Sequence, residues 1–281
     1  MKYYQMNGCG NAFAILDGRG EKLRLSAEAV RRIAKSANAD QVVSLENSMR
    51  GDIFMRIWNN TGSEVAACGN VSRCVGWIMM RERNRDTIKI ETEAGLLIAT
   101  RHGNGDTMIS VDMGSPLLKW EEIPLAERMD TRGIDVKIGP IDAPYLQLPG
   151  AVNMGNPHCV FFVDELDAVD VVGIGPLIEG HMMFPEKANV GFAQVLGRDC
   201  IRLRVWERDA GLTKACGTGA CAAVVAGVRK GLLNRSCTVF VDGGDLHIDW
   251  REKDDHVIMT GPIELERQAE ISAPASAPVF R

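Results

Sequence analysis

Short runs that alternate apolar and polar residues dominate this chain, and that period reads as β-strand rather than helix. In the first half the runs lie at Tyr3–Met6, Phe13–Leu16, Gln41–Glu46, Ile53–Trp58, Thr87–Thr92, Leu96–Arg101 and Met108–Met113. Gly103-Asn-Gly105 has the composition of a hairpin turn between the last two. Two segments carry helical spacing instead: one behind a capping Ser26 to about Ala37, and one from near Gly69 to about Arg83. In the second half, strands are predicted at Tyr145–Leu148, Cys159–Val163, Val190–Leu196, Cys200–Glu207, Thr238–Val241, Leu246–Trp250 and His256–Thr260. One helix is predicted within Val172–Gly180. Another runs from near Gly217 to about Lys230, with Gly231 as its C-terminal cap. Gly114–Pro124, with two prolines, reads as a linker, and Ser272–Pro278 as a loose tail. Strands that outnumber helices, with short turns between them, predict α+β domains built on curved, mostly antiparallel sheets.

The two halves also match residue by residue. Ile53-Phe-Met-Arg-Ile-Trp58 returns as Ile201-Arg-Leu-Arg-Val-Trp206, and Ala67-Cys68-Gly69 returns as Ala215-Cys216-Gly217. The offset is a constant 148 positions, without a gap. A repeat spanning half the chain predicts an internal duplication into two pseudo-symmetric domains. The expected division is residues 1–115 plus about 262–273 for the first domain, 116–261 for the second, and 274–281 for a flexible tail.

Composition narrows the function. Of 281 residues, 46% are hydrophobic and 25% charged, which fits a globular fold with a core in each half. Net charge is −5 and no Lys/Arg run is long enough to track a phosphate backbone, so nucleic acid is excluded as a partner. The N-terminal Met-Lys-Tyr-Tyr-Gln-Met lacks the apolar core of a signal peptide. Apolar stretches such as Ala220–Ala226 are too short to cross a bilayer. A cytoplasmic protein with no membrane partner is expected, and its eight cysteines should be mostly reduced. Cys68-x5-Cys74 and Cys216-x4-Cys221 lack the close spacing of a zinc knuckle, so no metal is expected. Most of the cysteines read as small buried hydrophobes.

Cys68 and Cys216 differ from the rest because each ends a strand-and-loop segment and precedes small residues that open a helix. A thiol at a helix N-terminus lies in the positive end of the dipole, which favours thiolate. Adjacent glycines leave backbone N–H groups open to an anion. Two equivalent thiols suit inversion of a carbon centre: one removes a proton from one face, and the other returns one to the opposite face. The helix N-termini would stabilise charge developing on a carboxylate as the proton leaves. No dinucleotide fingerprint, phosphate loop or convincing Schiff-base lysine is visible, so no cofactor is expected. A redox pair, a non-catalytic thiol or metal-binding protein, and duplicated core cysteines are the competing readings. The redox reading lacks a local Cys-x-x-Cys. The duplicated Ala-Cys-Gly context before a Gly-rich helix start favours catalysis over core packing.

Over about residues 3–265 the chain resembles the diaminopimelate epimerases. The resemblance is carried by Met6-Asn-Gly-Cys-Gly-Asn11-Ala-Phe13, Ala39-Asp-Gln41, Asn59-Asn-Thr-Gly-Ser-Glu-Val-Ala-Ala-Cys68-Gly-Asn70, Gly155-Asn156-Pro-His158 and Asn189-Val. Glu207-Arg208-Asp-Ala-Gly, Ala-Cys216-Gly-Thr218-Gly-Ala-Cys and Met259-Thr-Gly-Pro262 complete it. It implies a cofactor-independent enzyme that interconverts LL- and meso-diaminopimelate, with Cys68 and Cys216 as the acid/base thiols. Gly69, Asn70, Gly217 and Thr218 match the helix-start donors to the reacting carboxylate. Asn11, Gln41, Asn59, Asn156, Asn189 and Arg208 match positions that hold the substrate's amino and carboxylate groups, with Arg208 on the distal carboxylate. Glu207 belongs to the same substrate-binding set. His158 and Glu207 match residues that adjust the thiol pKa values. The implied fold is two domains, each a sheet wrapped round a central helix, with the active site in the interdomain cleft and a homodimer as the usual assembly.

Departures from the family pattern fall at Cys9, Ala12, Asn60-Thr61 and Leu212. None removes a proton carrier or the distal-carboxylate arginine. The closest alternative is a racemase or epimerase of another amino acid on the same scaffold, such as histidine or hydroxyproline. Arg208 argues for a substrate with a distal carboxylate. The Asp-Arg-Ser-Pro run typical of hydroxyproline epimerases is absent.

Overall fold

A computed structural model of the chain describes residues 1–20, 23–66, 68–103 and 105–271. Ala67 of the repeat, Asn104 of the expected hairpin turn and the 272–281 tail lie outside the described residues. The chain divides into two compact units. One holds Met1–Val111 with the described residues from Thr260 on, and the other holds Asp112–Met259.

The first unit begins with a hairpin of β1 (Lys2–Gly8) and β2 (Asn11–Asp17). Helix α1 (Ala27–Ala37) starts where the Ser26 side chain accepts from the Ala29 N–H, and ends at Asn38 in the left-handed region. Its Val30 and Ala34 pack on Ala14, Leu16, Val42 and Trp58, covering one face of the sheet. Strands β3 (Gln41–Glu46), β4 (Ile53–Asn59) and β5 (Glu64–Val65) lead into α2 (Gly69–Arg83), and β6 (Thr87–Thr92), β7 (Gly95–Arg101) and β8 (Met108–Asp112) follow. β2 runs parallel to β3, and β4 runs parallel to β6. The pairs β3–β4, β4–β5 and β6–β7 are antiparallel.

Every residue of α2 from Gly69 through Met80 is buried. A helix without a solvent face has to be enclosed, and β1, β6 and β7 pack against it. The approach is close: a Cβ on Gly76 would lie 2.5 Å from the Ala99 Cβ.

The second unit opens with β9 (Lys137–Ile138) and β10 (Leu146–Gln147), a short antiparallel pair outside the main sheet. It then repeats the first: β11 (Gly150–Asn153), β12 (Pro157–Val163), α3 (Val171–Glu179), β13 (Asn189–Gly197), β14 (Cys200–Glu207), β15 (Gly211–Thr213), α4 (Gly217–Arg229), β16 (Ser236–Val241) and β17 (Gly244–Trp250), while β18 (Val257–Pro262) begins in the second unit and ends in the first. The parallel pairs recur as β12–β13 and β14–β16. Registers recur too: Val42 opposes Trp58 as Val190 opposes Trp206, and Ile53 lies beside Ile90 as Ile201 lies beside Val239. Helix α4 is buried at Gly217 and from Gly219 to Gly227, enclosed by β11, β12, β13, β14 and β17. Gly231 follows it at φ +73°, as expected of a helix stop. The chain therefore has an α+β fold with duplicated domains. The final strand, β19 (Glu264–Glu270), returns to the first unit and pairs antiparallel with β1. Among the described residues, no helix is long and apolar enough to cross a membrane.

Five strands were not anticipated from the pattern: β5, β9, β11, β15 and β19. All but β19 have four residues or fewer, too short for a period to register. β19 reads Glu-Leu-Glu-Arg-Gln-Ala-Glu with no fully buried position, and only its pairing with β1 makes it a strand. The segment expected as a linker bonds instead into the second unit, where Leu117 bridges Asn153.

Candidate active site

In the first unit, Cys68 is the N-cap of α2, with extended backbone (φ −148°, ψ 116°), and it is half-buried. Its carbonyl accepts from the Ser72 N–H at 3.1 Å and from Ser72 Oγ at 2.8 Å, which closes the first turn. The thiol makes no capping bond and the first turn contains no acidic residue, so the positive helix end is not neutralised by its own sequence. The strand registers bring the carboxamides together at one end of the sheet. Gln41 lies beside Phe13 on β2 and opposite Asn59 on β4, and Gln41 Nε2 donates to Asn59 Oδ1 at 3.2 Å. Asn11, at the start of β2, accepts from Asn70 Nδ2 at 2.6 Å, which ties the strand end to the start of α2. Gly69 and Asn70 are both buried in that first turn.

In the second unit, Cys216 is the N-cap of α4 (φ −121°, ψ 109°) and is buried. Burial pushes its thiol well above the ordinary cysteine range, and the Glu207 carboxylate pushes the same way through its charge. The Thr218 hydroxyl, 3.6 Å from Sγ, and the Gly219 N–H pull in the opposite direction. Glu207 also accepts the thiol's hydrogen bond, which again favours the protonated form. Cys216 is thus held as a thiol. Glu207 is itself fixed by Thr213 Oγ1 at 2.6 Å.

Asn189 is buried and doubly anchored. Its Nδ2 donates to the Pro157 carbonyl at 2.9 Å, and its Oδ1 accepts from the Arg208 N–H at 3.0 Å. Arg208 Nη1 donates to the Glu186 carbonyl at 3.0 Å. His158 lies beside Asn189 in the parallel register and is fully buried. Burial first, and the Arg208 charge second, push its pKa down to about 3. A neutral ring 2.9 Å from Asn156 Oδ1 must carry its proton on Nε2, so His158 donates and Asn156 accepts. Any influence of His158 on a thiol is therefore that of an uncharged ring.

The structure gathers Asn11, Gln41, Asn59, Cys68, Gly69 and Asn70 within the first unit. It gathers Asn156, His158, Asn189, Glu207, Arg208, Cys216, Gly217 and Thr218 within the second. Three supporting residues escaped the sequence reading. Thr213 orients Glu207. Glu179 accepts from Trp206 Nε1 at 2.7 Å and from the Asp209 N–H at 3.1 Å, which fixes both sides of Glu207-Arg208. Arg73 is fully buried in α2. Its signal was present, since a lone arginine stands in an otherwise small and apolar helix start.

Two solved structures show the class of fold. A hydroxyproline epimerase from Agrobacterium vitis superposes with a TM-score of 0.68 at 15% identity, over 98% of this chain and 93% of that one. A phenazine biosynthesis protein of the PhzF family from Bacillus anthracis superposes with a TM-score of 0.67 at 15% identity, over 97% and 99%. The chain shares their duplicated two-domain fold. At sequence level, the profile described as Diaminopimelate epimerase matches residues 3–119 and 150–266. Diaminopimelate epimerases of Phenylobacterium zucineum (strain HLK1) and Caulobacter sp. (strain K31) are 50% and 48% identical to this chain. They match over 96% and 94% of it, and over 97% and 95% of their own lengths. The chain belongs to the diaminopimelate epimerase family, and is an isomerase.

Proposed function

We propose that this isomerase interconverts LL- and meso-2,6-diaminopimelate by a two-thiol mechanism that needs no cofactor. The observation that carries this reading is the duplicated placement of one cysteine at the N-cap of a buried helix in each unit. In one direction Cys68, as thiolate, takes the α-proton. The electron pair left on carbon delocalises into the carboxylate, whose charge the N–H groups at Gly69-Asn70 and Gly217-Thr218 stabilise. Cys216 then gives its proton to the opposite face and becomes the thiolate, and the reverse reaction exchanges the roles. Burial and Glu207 support Cys216 as the proton donor of the pair. The two thiols titrate as a coupled system.

Recognition follows from donor and acceptor sense. Asn59 and Asn156 have their carbonyl oxygens occupied, by Gln41 and His158, and so offer N–H groups suited to a carboxylate. Gln41 Oε1 is buried with no hydrogen-bond partner among the described residues, and an ammonium would satisfy it. Arg208 takes the distal carboxylate, as the family match implies, with the fork geometry suited to that group. The homodimeric and cytoplasmic state belongs to the same reading. Sedimentation of the purified protein tests the dimer.

The test follows α-carbon exchange of LL-diaminopimelate in D₂O. Wild type is expected to incorporate deuterium and to form the meso isomer, whereas Cys68→Ala and Cys216→Ala lose epimerisation. Full epimerisation by either variant would sink the mechanism.

A further inference from the structure

Arg73 is buried completely within the first unit, although a guanidinium is costly to remove from water. Its Nη1 donates to Asn70 Oδ1 at 2.9 Å, and its Nε points at the Pro262 carbonyl at 3.4 Å. A guanidinium has donors and no acceptor, so it can hold a carboxamide in only one sense. Asn70 must turn its oxygen towards Arg73 and its Nδ2 away. That Nδ2 meets Asn11 Oδ1 at 2.6 Å, so Asn11 accepts there and keeps its own Nδ2 for whatever it faces next. Gly8 leaves room for this packing: a Cβ there would lie 3.1 Å from the Asn70 carbonyl oxygen and 3.5 Å from Arg73 Nη2.

We propose that Arg73 is a positioning residue that fixes the hydrogen-bonding sense of Asn70 and Asn11, so that Asn11 offers an N–H to a carboxylate oxygen of the substrate and not an acceptor to its ammonium. The second unit reaches the same end by another device. The 148-residue offset places Cys221 where Arg73 stands, so no guanidinium is available. There the neutral His158 donates directly to Asn156 Oδ1, and Asn156 likewise presents Nδ2. By strand register His158 is the counterpart of Phe13, since Phe13 pairs with Gln41 as His158 pairs with Asn189, and each lies two residues beyond its loop asparagine. Each half therefore contains one buried donor that polarises its loop asparagine, placed on the helix in one case and on the strand in the other.

The inference rests on the epimerase reading for the identity of the carboxylate, and its tests separate the two. Asn70→Asp keeps acceptors for Arg73 and adds a complementary charge, so the buried pair still forms. It can no longer donate to Asn11, whose amide must then turn its Nδ2 to Asp and its oxygen to the substrate. KM for diaminopimelate is expected to rise about 10- to 100-fold, with kcat changing far less. Arg73→Lys, which retains a charged donor, should stay within a few-fold of wild type, while Arg73→Met should match Asn70→Asp. An unchanged KM in folded Asn70→Asp overturns the proposal, as do equal KM values for the lysine and methionine variants. Neutron diffraction of deuterium-exchanged wild type decides it without any activity. Deuterons on Asn70 Nδ2 aimed at Asn11 Oδ1 support the proposal, and the opposite sense overturns it. Absence of α-carbon exchange in wild type would remove the epimerase reading while leaving the neutron result to decide the relay.

Discussion

Glu207→Gln isolates the charge that holds Cys216 as a thiol. A carboxylate about 4 Å from a thiolate opposes its ionisation by about 4 kcal/mol at an effective dielectric near 20. Solvent reaching the partly exposed Glu207 screens part of that energy, and what is left still opposes ionisation of Cys216. The substitution preserves an oxygen for the Thr213 hydroxyl, so the local fold survives. It also replaces an acceptor by an amide that can donate to the thiolate, and this acts in the same direction as loss of the charge. The pH midpoint for alkylation of Cys216 by iodoacetamide, resolved by peptide mass spectrometry, should fall, because loss of the charge and gain of a donor both favour the thiolate. The alkaline limb of kcat/KM should move to lower pH with it. A midpoint that stays in place or rises would refute the assignment of Glu207 as the group that keeps Cys216 protonated.

His158→Phe puts into the second unit the residue that its repeat position holds in the first. The folded pKa of His158 lies below its unfolded value. Its contribution to stability is therefore present above the unfolded pKa of about 6.5 and is lost as pH falls towards about 3. Urea denaturation across that window should show an acid slope about 1.4 kcal/mol per pH unit shallower in the variant. An identical slope would rule out a buried neutral histidine. Gly175→Ala would ordinarily stabilise a helix by about 1 kcal/mol. Here the new Cβ would lie 2.5 Å from Trp206 Cγ, so a loss of about 1–3 kcal/mol is expected in thermal denaturation, and a gain would contradict the packing of α3 on β14.

The duplication, the helices that start near Gly69 and Gly217 and the thiol before each were legible in the sequence because each leaves a local mark. The bounds of α2 and its start at Gly69 agree with the helical spacing. The 148-residue repeat reappears as equal registers, Val42 with Trp58 and Val190 with Trp206. The candidate polar residues were also readable, as a set of repeated asparagines, Gln41 and the Glu207-Arg208 pair. What each does at its position was not. β19 has a composition that suits a helix and becomes a strand only because β1 offers an unpaired edge, a contact between opposite ends of the chain. The sense in which Asn11, Asn70 and Asn156 hydrogen-bond depends on which buried donor each one meets, Arg73 in one unit and His158 in the other. The sequence by itself determined periodicity, helix starts and a repeated pair of thiols, because these depend on neighbours along the chain. Only the tertiary structure decided edge pairing, the protonation of Cys216 and the polarity of the amides. Burial and charge act between residues far apart in sequence, and no local pattern encodes them.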